Sequence, residues 1–95
     1  MKIYLTAVIK SKPECFEEVA LVLKNMVVHT RKETACLQYD LHQDMNDKNV
    51  FVFYEIWQNQ RGLDLHNEQS YIKEFVALAN DKLEEKPAIY LTEKL

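Results

Sequence analysis

The stretch FVFYEIWQNQRGLDLHNEQSYIKEF, residues 51–75, holds most of the side chains that could do chemistry. The imidazole of His66 titrates near neutrality, so it can take a proton from a phenol or from a carbon beside a carbonyl. Tyr71 and Tyr39 can hydrogen-bond a phenolic oxygen. Trp57, Phe53 and Phe75 can stack on a flat ring. Aromatics at strand and helix spacing also pack cores, and a histidine can simply cap a helix–sheet junction, so each residue has a structural reading beside the chemical one. Glu55 lies among the aromatics, where a lone carboxylate is costly unless paired. Two readings stay open for it. One is a salt bridge, to Arg31, to Arg61 or across a dimer. The other is an acid of raised pKa, or a group that orients His66.

Several classes of chemistry are excluded by what is missing. His29 and His42 have no metal-ligand spacing with each other or with His66, and both read as surface or edge residues, so no metal site is expected. Cys15 and Cys36 form no CxxC pair and read as free thiols in a reducing cytoplasm. Glycine-rich phosphate loops and nucleophile elbows are absent. The net charge of −3, with no basic stripe, argues against nucleic acid as a partner. No apolar run approaches the roughly 18 residues of a membrane span, so no membrane partner is expected. The opening MKIYLTAVIK reads as a strand rather than a signal peptide. With 95 residues and only one glycine and two prolines, residues 1–95 are expected to be one domain without flexible linkers.

The elements that must position these residues follow from periodicity. Residues 2–10 are rich in β-formers and end at Ser11-Lys12-Pro13-Glu14, whose Ser and Glu have capping-box spacing around a first-turn proline. Phe16, Val19, Ala20, Leu23, Met26 and Val27 then recur as one helical stripe, to about Arg31. Residues 35–44 alternate as a strand, with Leu37, Tyr39 and Leu41 against Gln38, Asp40 and His42. Turn residues 45–49 lead into a second strand, 50–58, which closes a hairpin. Residues 59–67 predict a short helix. Ser70 is expected to cap another helix with Ile72, Phe75, Val76, Ala79 and Leu83 on one face. Pro87 ends it, and residues 88–92 form the last strand. The order β-α-β-β-α-β predicts an α+β, ferredoxin-like split βαβ fold, a four-stranded antiparallel sheet with helices on one face. The strand at 50–57 is apolar on both faces, whereas a sheet with one wet face should alternate. A second copy packed on the helix-free face would cover that surface, so a homodimer is expected.

In their order and spacing, these residues resemble the antibiotic biosynthesis monooxygenase (ABM) family, whose domain forms a dimeric α+β barrel. The resemblance runs over essentially the whole chain. It is carried by Lys12-Pro13-Glu14, Thr30-Arg31 followed by Glu33, Cys36-Leu37-Gln38-Tyr39, Phe53, Glu55-Ile56-Trp57, Leu65-His66, Ser70-Tyr71 and Phe75. It implies a cofactor-independent monooxygenase that oxidises quinol-like or polyphenolic substrates with O₂. His66 would then be the base, Tyr71 the donor to the developing oxyanion, and Trp57, Phe53 and Phe75 the walls, with no cofactor and no metal. Two alternatives accompany it. One is a proton-transfer isomerase of a small phosphorylated ketone, with a cation drawn from Arg31, Lys32, Arg61 or Lys73. The other is a non-catalytic dimeric module that binds small molecules in a stress response. The chain departs from the family's frequent Pro-Gly at Thr34-Ala35. It also departs from the haem-degrading branch, which uses an Asn in the first strand where Thr6-Ala7 stand here. That branch's axial His position is matched by Phe75 and Val76, so haem binding of that kind is not expected.

Overall fold

The computed structural model describes residues 1–95. Its elements are β1 (Ile3–Lys10), α1 (Phe16–Thr30), β2 (Cys36–Gln43), β3 (Val50–Trp57), α2 (Gln60–Asn67), α3 (Ser70–Lys82) and β4 (Ala88–Thr92). The four strands form one antiparallel sheet in the order β2-β3-β1-β4, with the helices against one face. This is the expected ferredoxin-like arrangement. Alternation along the strands decides which side chains meet the helices. Leu5, Ala7 and Ile9 of β1 are buried, as are Phe51, Phe53, Glu55 and Trp57 of β3. Val19, Ala20, Leu23 and Met26 of α1 and Ile72 and Phe75 of α3 close over them. Burying a side chain such as Phe53 contributes about 1.5–3 kcal/mol.

Two caps differ from the expectation. Ser11 does not cap a helix. Its backbone N–H bonds Asn49 and it bridges Leu83, so its hydroxyl turns to the Lys12 carbonyl. The proline turn is instead a short 3-10 segment, Pro13–Cys15. Ser70 is the first helical residue rather than the cap. The Gln69 carbonyl already accepts from Ile72 and Lys73, so the helix starts one residue earlier than a Ser70 cap would require. Along β2, a shift in pairing between Cys36 and Gln38 turns Leu37 outward, while Tyr39 stays in the core.

Two contacts at the sheet's β2–β3 end set the geometry of the site. Asn59 caps α2 by accepting from the Gly62 N–H at 2.8 Å. Gly62 lies so close to the α1–β2 connection that an added Cβ would fall 2.3 Å from the Ala35 Cβ. The lack of a side chain therefore lets α2 seat directly on that connection, which carries Glu33.

Candidate active site

Glu33 is the hub of the polar cluster. Its Oε2 faces the His66 Nδ1 at 2.8 Å and accepts the Tyr71 hydroxyl at 2.5 Å. The three residues come from the α1–β2 connection, α2 and α3, so three packed elements fix one carboxylate. His66 is buried, and its ring lies against Trp57 with centroids 4.5 Å apart and edge-on to Tyr39 at 5.6 Å. Burial lowers the His66 pKa, and the Glu33 hydrogen bond and charge only partly oppose that. The neutral ring is favoured near pH 7, with its proton on Nδ1, where Glu33 accepts it. Nε2 then carries the lone pair.

The His66 ring lines a cavity of about 260 Å³ between the sheet and helices α2 and α3. Leu5, Ala7, Phe53 and Glu55 floor it. Tyr39, Leu63, His66, Ile72 and Phe75 wall it. Gln60 and Asn67 of α2 stand at its mouth with Val76, Ile89 and Leu91, which are 60%, 59% and 55% exposed. No lysine or arginine lines it.

Glu55 is only 4% exposed. Within the chain Glu55 makes no salt bridge, to Arg31 or to Arg61. Arg31 is instead held by Asp40 and by the Tyr39 carbonyl, and Arg61 is exposed. The partner of Glu55 is Trp57, whose Nε1–H donates to Oε1 at 2.8 Å. Burial pushes the carboxyl up to about 7; the Trp57 hydrogen bond pulls it down and the Glu33 charge pushes it further up. Nor does Glu55 orient His66, since Glu33 takes that position.

The candidates named from sequence therefore separate. His66, Tyr39, Phe53, Phe75 and Glu55 border the cavity. Trp57 does not: it is fully buried behind His66, with its indole N–H committed to Glu55. Tyr71 does not line the cavity either, because its hydroxyl is committed to Glu33. Burial raises the pKa of both Tyr39 and Tyr71, so both stay protonated. Burial, reinforced by Glu33 and Glu55, lifts the Cys36 thiol to about 11, which leaves it unreactive. His29 stacks on Tyr71 from the exposed side of α1, and His42 is exposed. No three His, Cys, Asp or Glu side chains are grouped as metal ligands would be. Glu33 was not singled out from sequence as a site residue. It is 33 positions from His66 and 38 from Tyr71, so no local spacing links them, and its place in the family-like run Thr30-Arg31 to Glu33 was the available signal.

The family model for antibiotic biosynthesis monooxygenase matches residues 2–78. YcnE of Bacillus subtilis, which bears a provisional monooxygenase name, is 37% identical over 81 residues, 85% of each chain. The uncharacterized protein sll1783 of Synechocystis is 36% identical over 80 residues. That match covers 84% of this chain and 54% of the relative, so the chain spans about half of that protein's length. A crystal structure of an antibiotic biosynthesis monooxygenase superposes with a TM-score of 0.92 at 30% identity, covering 98% of both chains. PA3566 from Pseudomonas aeruginosa does so with a TM-score of 0.93 at 30% identity, covering 99% of this chain and 94% of that one. With the matched region spanning β1, β2, β3 and the Glu33–His66 cluster, the chain belongs to the antibiotic biosynthesis monooxygenase family.

Proposed function

We infer that the protein is a cofactor-independent monooxygenase of quinol-like or polyphenolic aromatic substrates. The observation that carries this reading is the Glu33-held His66, kept neutral by burial and lining an apolar cavity. Its volume, about 260 Å³, is just below that of pockets for drug-sized ligands, and suits one or two fused rings. Deprotonation of a quinol by Nε2 gives an electron-rich anion that can itself reduce O₂, so no flavin or metal is needed. Glu33 holds the tautomer and stabilises the imidazolium that forms, as the carboxylate does in other carboxylate–histidine pairs. Phe53 and Phe75 hold the ring, and the apolar wall keeps water from the anion. The absence of cations from the lining weighs against the phosphorylated-ketone isomerase. Arg31 and Lys73, two of the candidate phosphate ligands, are paired with Asp40 and Glu68 instead.

The same reading includes a homodimer through the helix-free face. Tyr4, Thr6, Val8, Val52, Tyr54 and Ile56 share that face by register, and Tyr90 of β4 joins them. Such a surface is better buried than wet. The unpaired thiols of Cys15 and Cys36 favour the cytoplasm. The test is O₂ consumption with a panel of reduced quinols, comparing wild type, His66→Ala and no protein, because quinols autoxidise. Uptake above the no-protein rate that is lost in His66→Ala supports the reading. Uptake no faster than background from folded protein rejects it.

A further inference from the structure

Glu55 is the buried ionisable group that a single-base scheme leaves without a task. It is enclosed, it borders the cavity, and no cation reaches it. The groups packed around it are known from every side. Tyr39 and Cys36 face it from β2, Glu33 from the α1–β2 connection and His66 from α2. β1, α1 and α3 bring only apolar side chains to the cavity: Leu5, Ala7 and Ile9, then Met26, then Ile72, Phe75 and Val76. None of these neutralises a carboxylate, and Glu33 repels one. Because Trp57 donates to Oε1, a proton on Glu55 belongs on Oε2, the oxygen free to face the cavity.

We propose that Glu55 is the general acid of the reaction, a catalytic residue that gives its proton to the oxygen atom leaving as water. The proposal rests on the monooxygenase reading. His66 first takes the phenolic proton of the quinol. The phenolate transfers an electron to O₂, and the resulting pair combines at a ring carbon bearing hydrogen, forming a C–O bond. The imidazolium returns its proton to the outer oxygen, which gives a hydroperoxide. His66 then removes the hydrogen on that ring carbon. Its C–H pair forms the new C=O as the O–O bond breaks, and the departing hydroxide takes the Glu55 proton. The imidazolium reprotonates Glu55 to close the cycle. The ring gains one oxygen and loses two hydrogens, O₂ is reduced, and its second atom leaves as water. A carboxylic acid beside the leaving oxygen supplies what a lone histidine lacks, since His66 is occupied with the carbon-bound proton at that moment.

The acid also explains why Trp57 lies outside the cavity. Its indole fixes the Glu55 carboxyl and backs His66 at once, so one ring sets the relation between acid and base.

Glu55→Gln tests the assignment, because the amide keeps an acceptor for Trp57 and loses the transferable proton. Wild type and variant are given naphthohydroquinone and O₂, and O₂ uptake, hydrogen peroxide and oxygenated quinone are measured against a no-protein control. In wild type, oxygenated quinone is expected with little peroxide. In the variant, oxygenated quinone falls by about a hundredfold, the range of one general acid. The stalled hydroperoxide instead sheds hydrogen peroxide and leaves unoxygenated quinone. A second readout is the infrared carboxylic-acid stretch. It should be present in wild type at neutral pH and absent in the variant. A variant that makes oxygenated quinone at the wild-type rate overturns the role of Glu55 and leaves the monooxygenase reading standing. Loss of all oxygen uptake in wild type overturns both. If the acid stretch is missing from wild type at neutral pH, the proposal fails whatever the kinetics show.

Discussion

Replacing Glu55 with glutamine should make the protein more stable at alkaline pH and leave it almost unchanged in acid. The folded-state pKa of Glu55 is about 7, against 4.5 for the free side chain. Folding therefore favours the protonated form. In the unfolded chain the carboxyl ionises as pH passes about 4.5, while in the fold it stays neutral until about 7. The stability that the neutral carboxyl contributes is fully present below about pH 4.5 and is lost as pH rises to about 7. Each pH unit of that separation is worth about 1.4 kcal/mol, so the loss comes to about 3 kcal/mol. With the side chain 4% exposed, solvent screening removes little of it. A domain of this size has a total stability of about 5–15 kcal/mol, so the effect is large enough to see. Glutamine is nearly isosteric, keeps the Trp57 hydrogen bond and has no ionisation to pay for. His66 contributes in the opposite sense, because its lowered pKa makes stability rise with pH up to its unfolded value. That contribution is common to both proteins and cancels in the difference. Urea unfolding at a series of pH values should give a variant-minus-wild-type difference near zero at about pH 4.5. It should climb to about 3 kcal/mol in favour of the variant above about pH 7.5. A difference that stays constant across the range refutes the claim that Glu55 is held neutral.

Glu33→Ala leaves both the Tyr71 hydroxyl and the His66 Nδ1–H without their partner, and should cost about 1–3 kcal/mol in urea unfolding. Glu33→Gln keeps the shape but removes the charge that raises the His66 pKa, so the His66 ring signals should titrate at lower pH than in wild type when followed by NMR. Gly62→Ala drives a methyl into Ala35, and should lower stability by about 1–3 kcal/mol while loosening the Glu33–His66 contact, which a changed His66 titration would reveal. Trp57→Phe removes the hydrogen bond that lowers the Glu55 pKa, so the acid stretch of Glu55 should persist to higher pH than in wild type.

Most of the architecture was legible because periodicity and punctuation act locally. The α1 stripe, the hairpin and Pro87 each place an element with no information from the rest of the chain. The caps at Ser11 and Ser70 misled for the same reason. Spacing alone cannot show that Ser11 is drawn into a bridge with Leu83, or that the Gln69 carbonyl already serves the start of α3. The site was legible in its residue types and not in its pairings. Aromatics in β3 and a histidine in α2 announce a cavity wall. Which carboxylate meets the imidazole depends on α2 lying on the α1–β2 connection, and that depends on Gly62 against Ala35, residues distant in the chain. Glu55 is nearer to His66 in sequence, yet it is tied to Trp57, two positions away on its own strand face.

These pairings have a consequence for what the cavity accepts. Burial alone would keep both ionisable groups at its wall neutral, Glu55 as the acid and His66 as the base. The Glu33 carboxylate that tunes both lies outside the lining, and no lysine or arginine enters it. Below the Glu55 value of about 7, and above the lowered pKa of His66, the site thus presents a proton donor and a proton acceptor without net charge. A charged ligand would lose its hydration there and gain no counter-ion. In the proposed reaction an uncharged phenol would lose little on entry, would exchange protons with both groups once inside, and would share the cavity with O₂, itself an apolar molecule. Selection against charged ligands and readiness for proton transfer therefore come from the same feature, the burial of an acid and a base that are each satisfied by a partner behind the wall.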